Sequence, residues 1–498
     1  MKKMNLKILT SALLLLLSGC NDFLTTELQG VYTNTSFYQT EDHAIFAINS
    51  TYEIIAFKNI NNNLWVFGDV ASDDALKGGN PGDQSDIGFI DEFNITADNG
   101  FIESIWKHYY EGVARANKVI YYVPGITMDD ELKERIVGEA KFLRAYFYFH
   151  LVNIFGSVPL KTEPAFSADD LHVAVSDVAT IYQQIEQDLV DASMVLPVSY
   201  GSESGRVTSG AALGLYAKTL LFQKKWQESL DAVTQMETLG YTLMPIYREN
   251  FEVLTENNSE SVFEIQHLTG QVPFLGSSLN QWFSPITENG YFFNAPTQSF
   301  VDEFEVTAGG VVDPRLDYTV GRENQKWVNG EDFLPEWSPA TGFLNRKHVQ
   351  PLSEIPKGTK GDGDLNYSFM RYSEIVLMKA EALNELSRGA EALAPLNAIR
   401  KRSRESYLFD DQLPGFDGTV PVDLLPDMTS TNQSTLRGAI QHERRVELGF
   451  EFHRFYDLMR YGATVAEAAL SDTNFNYATH RYFPIPQSEV DTNNSISN

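Results

Sequence analysis

The sequence predicts a mainly α-helical protein, a tetratricopeptide-like helical-repeat scaffold that carries one large, irregular, loop-rich lobe. Apolar residues recur at helical spacing through most of residues 41–240 and again beyond residue 371. Short polar breaks divide those stretches, as antiparallel helix pairs require. Between Tyr241 and Asn366 the periodicity gives way to Gly, Pro, Asn and Trp, with only short strand-like runs such as Ser261-Val262-Phe263-Glu264-Ile265. Long ordered loops of that kind are more often functional than merely connecting.

The chain starts with Lys2, Lys3 and Lys7, then an apolar run from Ile8 to Leu17, then Leu17-Ser18-Gly19-Cys20. A basic start, a short apolar core and small residues at its end make residues 1–19 a secretory signal, too short to be a spanning helix. Cys20 is the single cysteine of the chain, so it has no disulfide partner. The Leu-Ser-Gly-Cys ending resembles the lipobox of bacterial lipoproteins, in which the thiol is acylated and becomes the new N-terminus. Cys20 is therefore the expected lipidation site, and two or more acyl chains suffice for stable anchoring. Residues 20–40 read as a lipidated leader.

Helices are expected over Glu41 to Ile55, Phe101 to Tyr122, Glu131 to Phe155, Val178 to Val195 and Ser209 to Leu239. In the last of these, Leu213, Ala217, Leu220 and Leu221 mark one stripe, and Trp226, Leu230 and Val233 begin a second. Phe142 to Leu160 is apolar nearly all round, but Arg144, His150 and Asn153 interrupt it, so it reads as core rather than a membrane span. Helices resume at Tyr372 to Ser387, Ala390 to Arg404 and Thr435 to Tyr461, with Pro395 requiring a late start or a kink. The pair at 372–404, broken at Gly389, has about the length of one tetratricopeptide unit, and the 101–155 and 178–239 pairs are candidates for others. The division is 41–240 for the N-terminal helical part, 241–370 for the irregular lobe and 371–498 for the C-terminal helical part.

The net charge is −29, and loss of residues 1–19 removes three lysines and no carboxylate. Such a body is repelled by nucleic acid and by anionic membrane surfaces, which leaves the lipid as its membrane contact. A polyanionic ligand is disfavoured too, although a local basic patch overrules the total. With Cys20 consumed, no thiol remains for metal binding or catalysis. There is no His-Glu-x-x-His motif, no Gly-x-Ser-x-Gly elbow and no phosphate-binding glycine loop. Asp362-Gly363-Asp364-Leu365-Asn366 starts like a calcium loop but lacks its later Gly and Glu, and reads as a turn. No metal or cofactor is expected.

Several co-ordered motifs carry a resemblance to a known family. They are Cys20-Asn21-Asp22-Phe23-Leu24; Trp106, Tyr109 and Asn117; Glu139 to Ala145; and Phe155-Gly156-Ser157-Val158-Pro159-Leu160. Further on come Arg371 to Glu385, Leu396-Asn397-Ala398-Ile399-Arg400, Glu443-Arg444-Arg445-Val446-Glu447-Leu448, Arg454, Asp457 to Arg460, and Pro484-Ile485-Pro486-Gln487. From Cys20 to the end the chain resembles the SusD/RagB family of lipid-anchored, nutrient-capturing outer-membrane proteins of Bacteroidetes. It departs where Thr25 follows Leu24, a place often held by an acidic residue. The resemblance implies a cell-surface lipoprotein that captures an oligosaccharide or polysaccharide and delivers it to a SusC-like TonB-dependent transporter, with no chemistry on the ligand. The alternatives are a peptide-capturing RagB-like protein and a lipid-anchored glycosidase.

Glu443, Arg444, Arg445, Glu447, Arg454 and Asp457 stand at spacings of three and four, which suits ion pairs. Carboxylates locked against arginine make poor general acids. Trp106 and Tyr109, three apart on a helix, read as core. Sugar rings need aromatic platforms for their C–H faces and polar groups for their hydroxyls. Trp282, Tyr291, Trp327 and Trp337 are the candidate platforms, although a large lobe also needs tryptophan for its own packing. The family's ligand loops vary, so none of those residues is carried over by resemblance. The resemblance does imply that the segment after the first helix approaches the ligand, which makes Asp74 and Gln84 candidates for hydroxyls. Helix capping or turn formation explains an Asp there equally well.

Overall fold

Helix caps written in the sequence appear where the periodic stretches begin. In the computed structural model, which describes residues 37–58, 62–201, 203–356 and 361–496, Thr40, Asn99, Asp129, Asp177 and Thr208 each accept a hydrogen bond from a backbone N–H of the first helical turn. The signal sequence, Cys20 and the leader up to residue 36 lie outside the described residues. Chain order gives α1 (Glu41–Tyr52), β1 (Ala75–Gly78), α2 (Ser85–Asp91), α3 (Gly100–Tyr122) and α4 (Asp130–Phe155). Then come β2 (Val158–Pro159), β3 (Val175–Ser176), α5 (Val178–Val195), α6 (Ser209–Phe222) and α7 (Trp226–Met236).

Successive long helices pack on one another: α3 on α4, α4 on α5, α5 on α6 and α6 on α7. The expected 209–239 stretch divides into α6 and α7 at Lys224, which takes a left-handed φ of 61°. Trp106 and Tyr109 are buried in the α3–α4 interface, where Tyr109 also packs on His150.

The irregular lobe contains β4 (Ser261–Ile265), α8 (Leu279–Phe283), β5 (Phe293–Pro296), α9 (Gln298–Val301), α10 (Arg315–Thr319), β6 (Val320–Gly321) and β7 (Leu344–Asn345). Every described sheet has two strands, and three of them join this lobe to something else or to itself. Antiparallel β1 pairs β5 with Leu76 opposite Ala295, β4 pairs β8 (Tyr367–Arg371), and β6 pairs β7.

The C-terminal part has α11 (Tyr372–Glu385), α12 (Gly389–Glu405), α13 (Gln433–Leu448), α14 (Arg454–Tyr461) and α15 (Ala463–Ala469). Helix α11 packs on α7 as well as on α12 and α13, so the two helical parts share one apolar core. Helix α12 runs through Pro395; the carbonyl that this proline leaves unbonded belongs to exposed Glu391, where water can satisfy it. The expected 435–461 helix is two helices. Phe450 and Phe452 take left-handed φ values of 63° and 68°, so Phe452 and Phe455 lie beyond the helix that buries Leu436 and Ile440. The break is paid for by burial: Phe450 packs edge-on against Phe300 at 5.0 Å, and Phe452 stacks on Tyr367 at 4.9 Å.

Helix α13 is the electrostatic centre. Arg371 donates to Glu451 at 2.7 and 2.8 Å, to Glu260 at 2.5 Å and to Glu447 at 3.1 Å, with all four side chains buried. Arg315 reaches Asp313 and Glu443, both at 2.6 Å, and Arg402 adds pairs to Glu260 and Glu447. Burial alone would raise the Glu451 carboxyl, yet Arg371 and Lys347 hold it at about 2. Arginine likewise holds the Glu447 carboxyl well below the usual carboxylate range, and the whole cluster is sealed from solvent, as the ion-pair reading of the motif expected.

At the edge of the cluster, His442 lies 2.8 Å from Glu303. Burial lowers its pKa, but Glu303 and Glu305 more than reverse this and raise it to about 9. The folded value exceeds the unfolded value of about 6.5, so its stabilisation is complete below that pH and lost as pH rises towards 9. Thermal unfolding should show a melting temperature that falls across this window, with a shallower fall in His442→Gln. Equal slopes in both proteins would refute the assignment.

Candidate ligand-binding face

The segment between α1 and α2 is held from behind before it can present anything in front. Residues Val66–Val70 form one π-helical turn, entirely buried. Asp69 accepts the Phe452 N–H at 3.1 Å and the Asn294 side-chain amide at 2.9 Å, tying the turn both to the C-terminal break and to β5. Asp73 takes a two-pronged bond from Arg454 at 2.7 and 2.8 Å, and Asp74 accepts from Arg445 at 2.8 Å. Asp74 is fully buried in that pair. The expectation that it contacts ligand hydroxyls is therefore corrected: the two arginines of α13 and α14 use Asp73 and Asp74 as anchors for β1.

From that anchor β1 runs outward beside β5 and turns over at Gly78 and Gly79, with φ of 68° and 64°. A side chain at Gly79 would strike the Phe293 ring at 2.6 Å. The loop that follows is organised by Lys77, whose ammonium donates to the carbonyls of Asn80 and Asp83 at 3.0 and 2.8 Å. Its backbone N–H binds Asp91, a carboxyl that burial pushes up to about 7. Gln84 ends this loop, exposed and left-handed at φ 49°, immediately before α2.

Across the sheet, an aromatic pile rises from the core to the surface. Fully buried Trp65 packs on Trp282 at 5.6 Å, Trp282 packs on Tyr291 at 5.7 Å, and Phe293 lies beside both at 5.4 and 6.4 Å. Tyr291 alone emerges, 39 % exposed, while Trp282 is 6 % exposed. Trp282 is thus a support beneath Tyr291 and not itself an exposed ring, which corrects that expectation. Exposed Ile286 stands in the adjoining turn, and Glu288 fixes this turn by accepting from Asn329 at 2.5 Å and the Leu352 N–H at 2.8 Å.

Trp327 and Trp337 are corrected as well. Both enclose Phe333, at 5.8 and 5.4 Å, and they are 1 % and 8 % exposed. The 320–345 excursion has little regular structure through which to bury area, so large rings supply its interior. A side chain at Gly321 would meet the Trp327 ring at 2.5 Å, showing how closely that core is filled.

The sequence reading missed the 268–275 hairpin, closed by a bridge between Leu268 and Leu275, which exposes Val272 and Phe274. Asp362 and Asp364, the start of the apparent calcium loop, tie it down by accepting the N–H groups of Gly270 and Thr269 at 2.8 and 2.5 Å. Among the described residues no group of three or more His, Cys, Asp or Glu side chains is arranged to hold a metal ion. Two apolar residues at the tip of a Gly-Gln-Val-Pro-Phe turn were the available signal. Around exposed Tyr291 stand Ile286 in the adjoining turn and, from the β1 side, Lys77, whose ammonium lies 5.6 Å from the centre of the neighbouring Phe293 ring.

Comparison with known proteins agrees with this architecture from end to end. Residues 259–498 match the model of the SusD family, and residues 29–221 match a second model described as starch-binding associating with outer membrane. SusD-like protein P2 of Formosa agariphila is 26% identical, over 98% of both chains. A laminarin-binding SusD-like protein superposes with a TM-score of 0.74 at 28% identity, over 91% of this chain and 98% of its own. A SusD-like carbohydrate-binding protein of Bacteroides fragilis gives a TM-score of 0.79 at 24% identity, over 93% and 100%. With two family models matched in order across both helical parts and the whole helical frame shared, the chain belongs to the SusD/RagB family.

Proposed function

We propose that this protein is a cell-surface, lipid-anchored glycan-binding protein that captures an oligosaccharide and passes it to a SusC-like TonB-dependent transporter of the outer membrane. The observation that carries the reading is Tyr291, an exposed ring on a rigid aromatic pile, in a chain whose structural relative at 28% identity binds laminarin. A platform held by Trp282 and Trp65 loses little freedom when a sugar stacks on it, which favours affinity. Lys77, over the neighbouring Phe293 ring, and exposed Gln84 in the loop that Lys77 organises supply groups that can bond hydroxyls. The helical parts supply the frame and a surface for the transporter, and the 241–370 lobe supplies the ligand contacts. Lipidation at Cys20 supplies the anchor, and the family model's outer-membrane description supports the location. Capture and hand-off need no bond-making residues, and the carboxylates of α13 are committed to arginine.

Affinity electrophoresis of the chain lacking its first twenty residues, through gels containing laminarin and a panel of other polysaccharides, tests the reading. Retardation by at least one polymer is expected, and Tyr291→Ala should weaken it about ten-fold or more. Trp327→Ala should instead lower thermal stability. Absence of retardation throughout a broad panel would overturn glycan capture in favour of peptide cargo.

A further inference from the structure

Arginine in this acidic chain is almost always paired. Among the described residues every arginine lies within ion-pair distance of a carboxylate except two, Arg346 and Arg481. Arg481 is exposed, and water serves it. Arg346 is half-buried, and its guanidinium lines a cavity of about 430 Å³ on the irregular lobe, remote in sequence from Tyr291. That volume lies in the range of about 300–1,000 Å³ that small-ligand pockets occupy.

The walls are Phe251, Tyr318, Val328 and Pro351, with Gln412 beside them. One nitrogen of Arg346 donates to the Asp317 carbonyl at 2.5 Å, and the guanidinium carbon stands 5.6 Å from the centre of the Tyr318 ring. The neighbouring charges are spoken for. Arg248 is held by Glu252 at 2.6 Å and by Asp410 at 3.0 Å, and the Asp317 carboxylate pairs with Arg322. Glu354 is exposed at the rim and does not reach Arg346. A cation thus faces an aromatic-walled cavity with most of its fork of donors free of any carboxylate, the arrangement suited to a planar anion.

We infer that this cavity binds a sugar unit carrying a carboxylate, its ring against Tyr318 and Phe251 and its carboxylate on Arg346. The sugar part of the inference rests on the glycan-capturing reading; the anionic part rests on Arg346. One acidic unit in a largely neutral glycan is compatible with the net charge of −29, because a single paired charge is not a polyanion.

Calorimetry and saturation-transfer NMR on the chain lacking its first twenty residues, with methyl β-glucuronoside, methyl β-glucoside and N-acetylglycine, test it. The glucuronoside should bind about ten-fold or more tightly than the glucoside, and Arg346→Gln should erase that difference. Arg346→Lys should keep part of it. Val328→Trp fills the cavity without touching an ion pair and should abolish binding of both sugars while polysaccharide retardation through Tyr291 persists. Equal affinity for the two sugars, no binding of either, or an unchanged Arg346→Gln would overturn the site. N-acetylglycine binding as tightly as the glucuronoside would overturn the sugar assignment. Polysaccharide retardation that is lost in Tyr291→Ala, together with no glucuronoside binding, would remove this site and leave glycan capture standing.

Discussion

Arg371→Met is expected to cost about 3–5 kcal/mol. The reason lies in what remains behind. Glu451, Glu447 and Glu260 are each buried and each draw a hydrogen bond from Arg371. Methionine fills much of the volume but donates nothing, so two or three carboxylates keep their burial penalty and lose a counter-charge. Arg402 and Lys347 compensate only in part, through Glu447 and Glu451. Urea unfolding should show a lower midpoint at an unchanged slope. Arg388→Met, which removes an exposed pair with Glu391, should leave the midpoint where it is. A midpoint for Arg371→Met equal to that of the unaltered protein would show that the cluster is not what holds α13 to β8.

Gly68→Ala is the second large effect, and it acts on the proposed ligand-binding face through the backbone. A methyl group at position 68 would lie 2.3 Å from the Phe452 carbonyl oxygen and 2.6 Å from its Cα. Those are main-chain atoms, so no rotamer change relieves the clash. Either the π-helical turn or the 450–452 break must move, and Asp69 holds both. The expected cost is about 3 kcal/mol, at the upper end for overpacking. Because β1 leaves this turn, polysaccharide retardation should weaken along with the melting temperature. Gly82→Ala, in the loop of the same face with nothing within 4 Å of an added Cβ, should change neither. Normal stability in Gly68→Ala would mean that the turn and the break are not in contact.

The helices were legible because apolar spacing marks each stretch, and in the structure a side chain such as Asn99 or Asp177 caps its start. The break after Leu448 was not legible, since Phe452 and Phe455 follow Leu436, Ile440 and Leu448 at spacings that read as one helix. Phe300 and Tyr367, both distant in sequence, make the left-handed backbone worthwhile there. The ion-pair motif was legible in its pairing but not in its targets. Arg445 and Arg454 pair with Asp74 and Asp73, more than 370 residues earlier, and no local spacing encodes that. For the same reason Asp74 looked available. The tryptophans misled because a polar neighbourhood in sequence is not a wet neighbourhood in space: the excursion around Trp327 and Trp337 turns its polar backbone outward and its rings inward. Tyr291 differs by one layer only, resting on Trp282 instead of beneath it.

The staples from Asp69, Asp73 and Asp74 to Phe452, Arg454 and Arg445 also dictate an order of events during synthesis. The Phe483 N–H bonds the Ile154 carbonyl and the Gln487 N–H bonds that of Ala97, so the tail closes on the first helices too. A chain made from its N-terminus has its first third complete long before the partners of that third exist. Loop-closure entropy for such distant contacts is charged near the end, which makes the final docking slow and leaves apolar faces of α3 and α4 uncovered in the meantime. A ribosome-stalled or C-terminally truncated chain ending before Arg445 would therefore hold helices without the anchors of β1. The candidate ligand-binding face becomes the part of the molecule completed last, with residues 445–498.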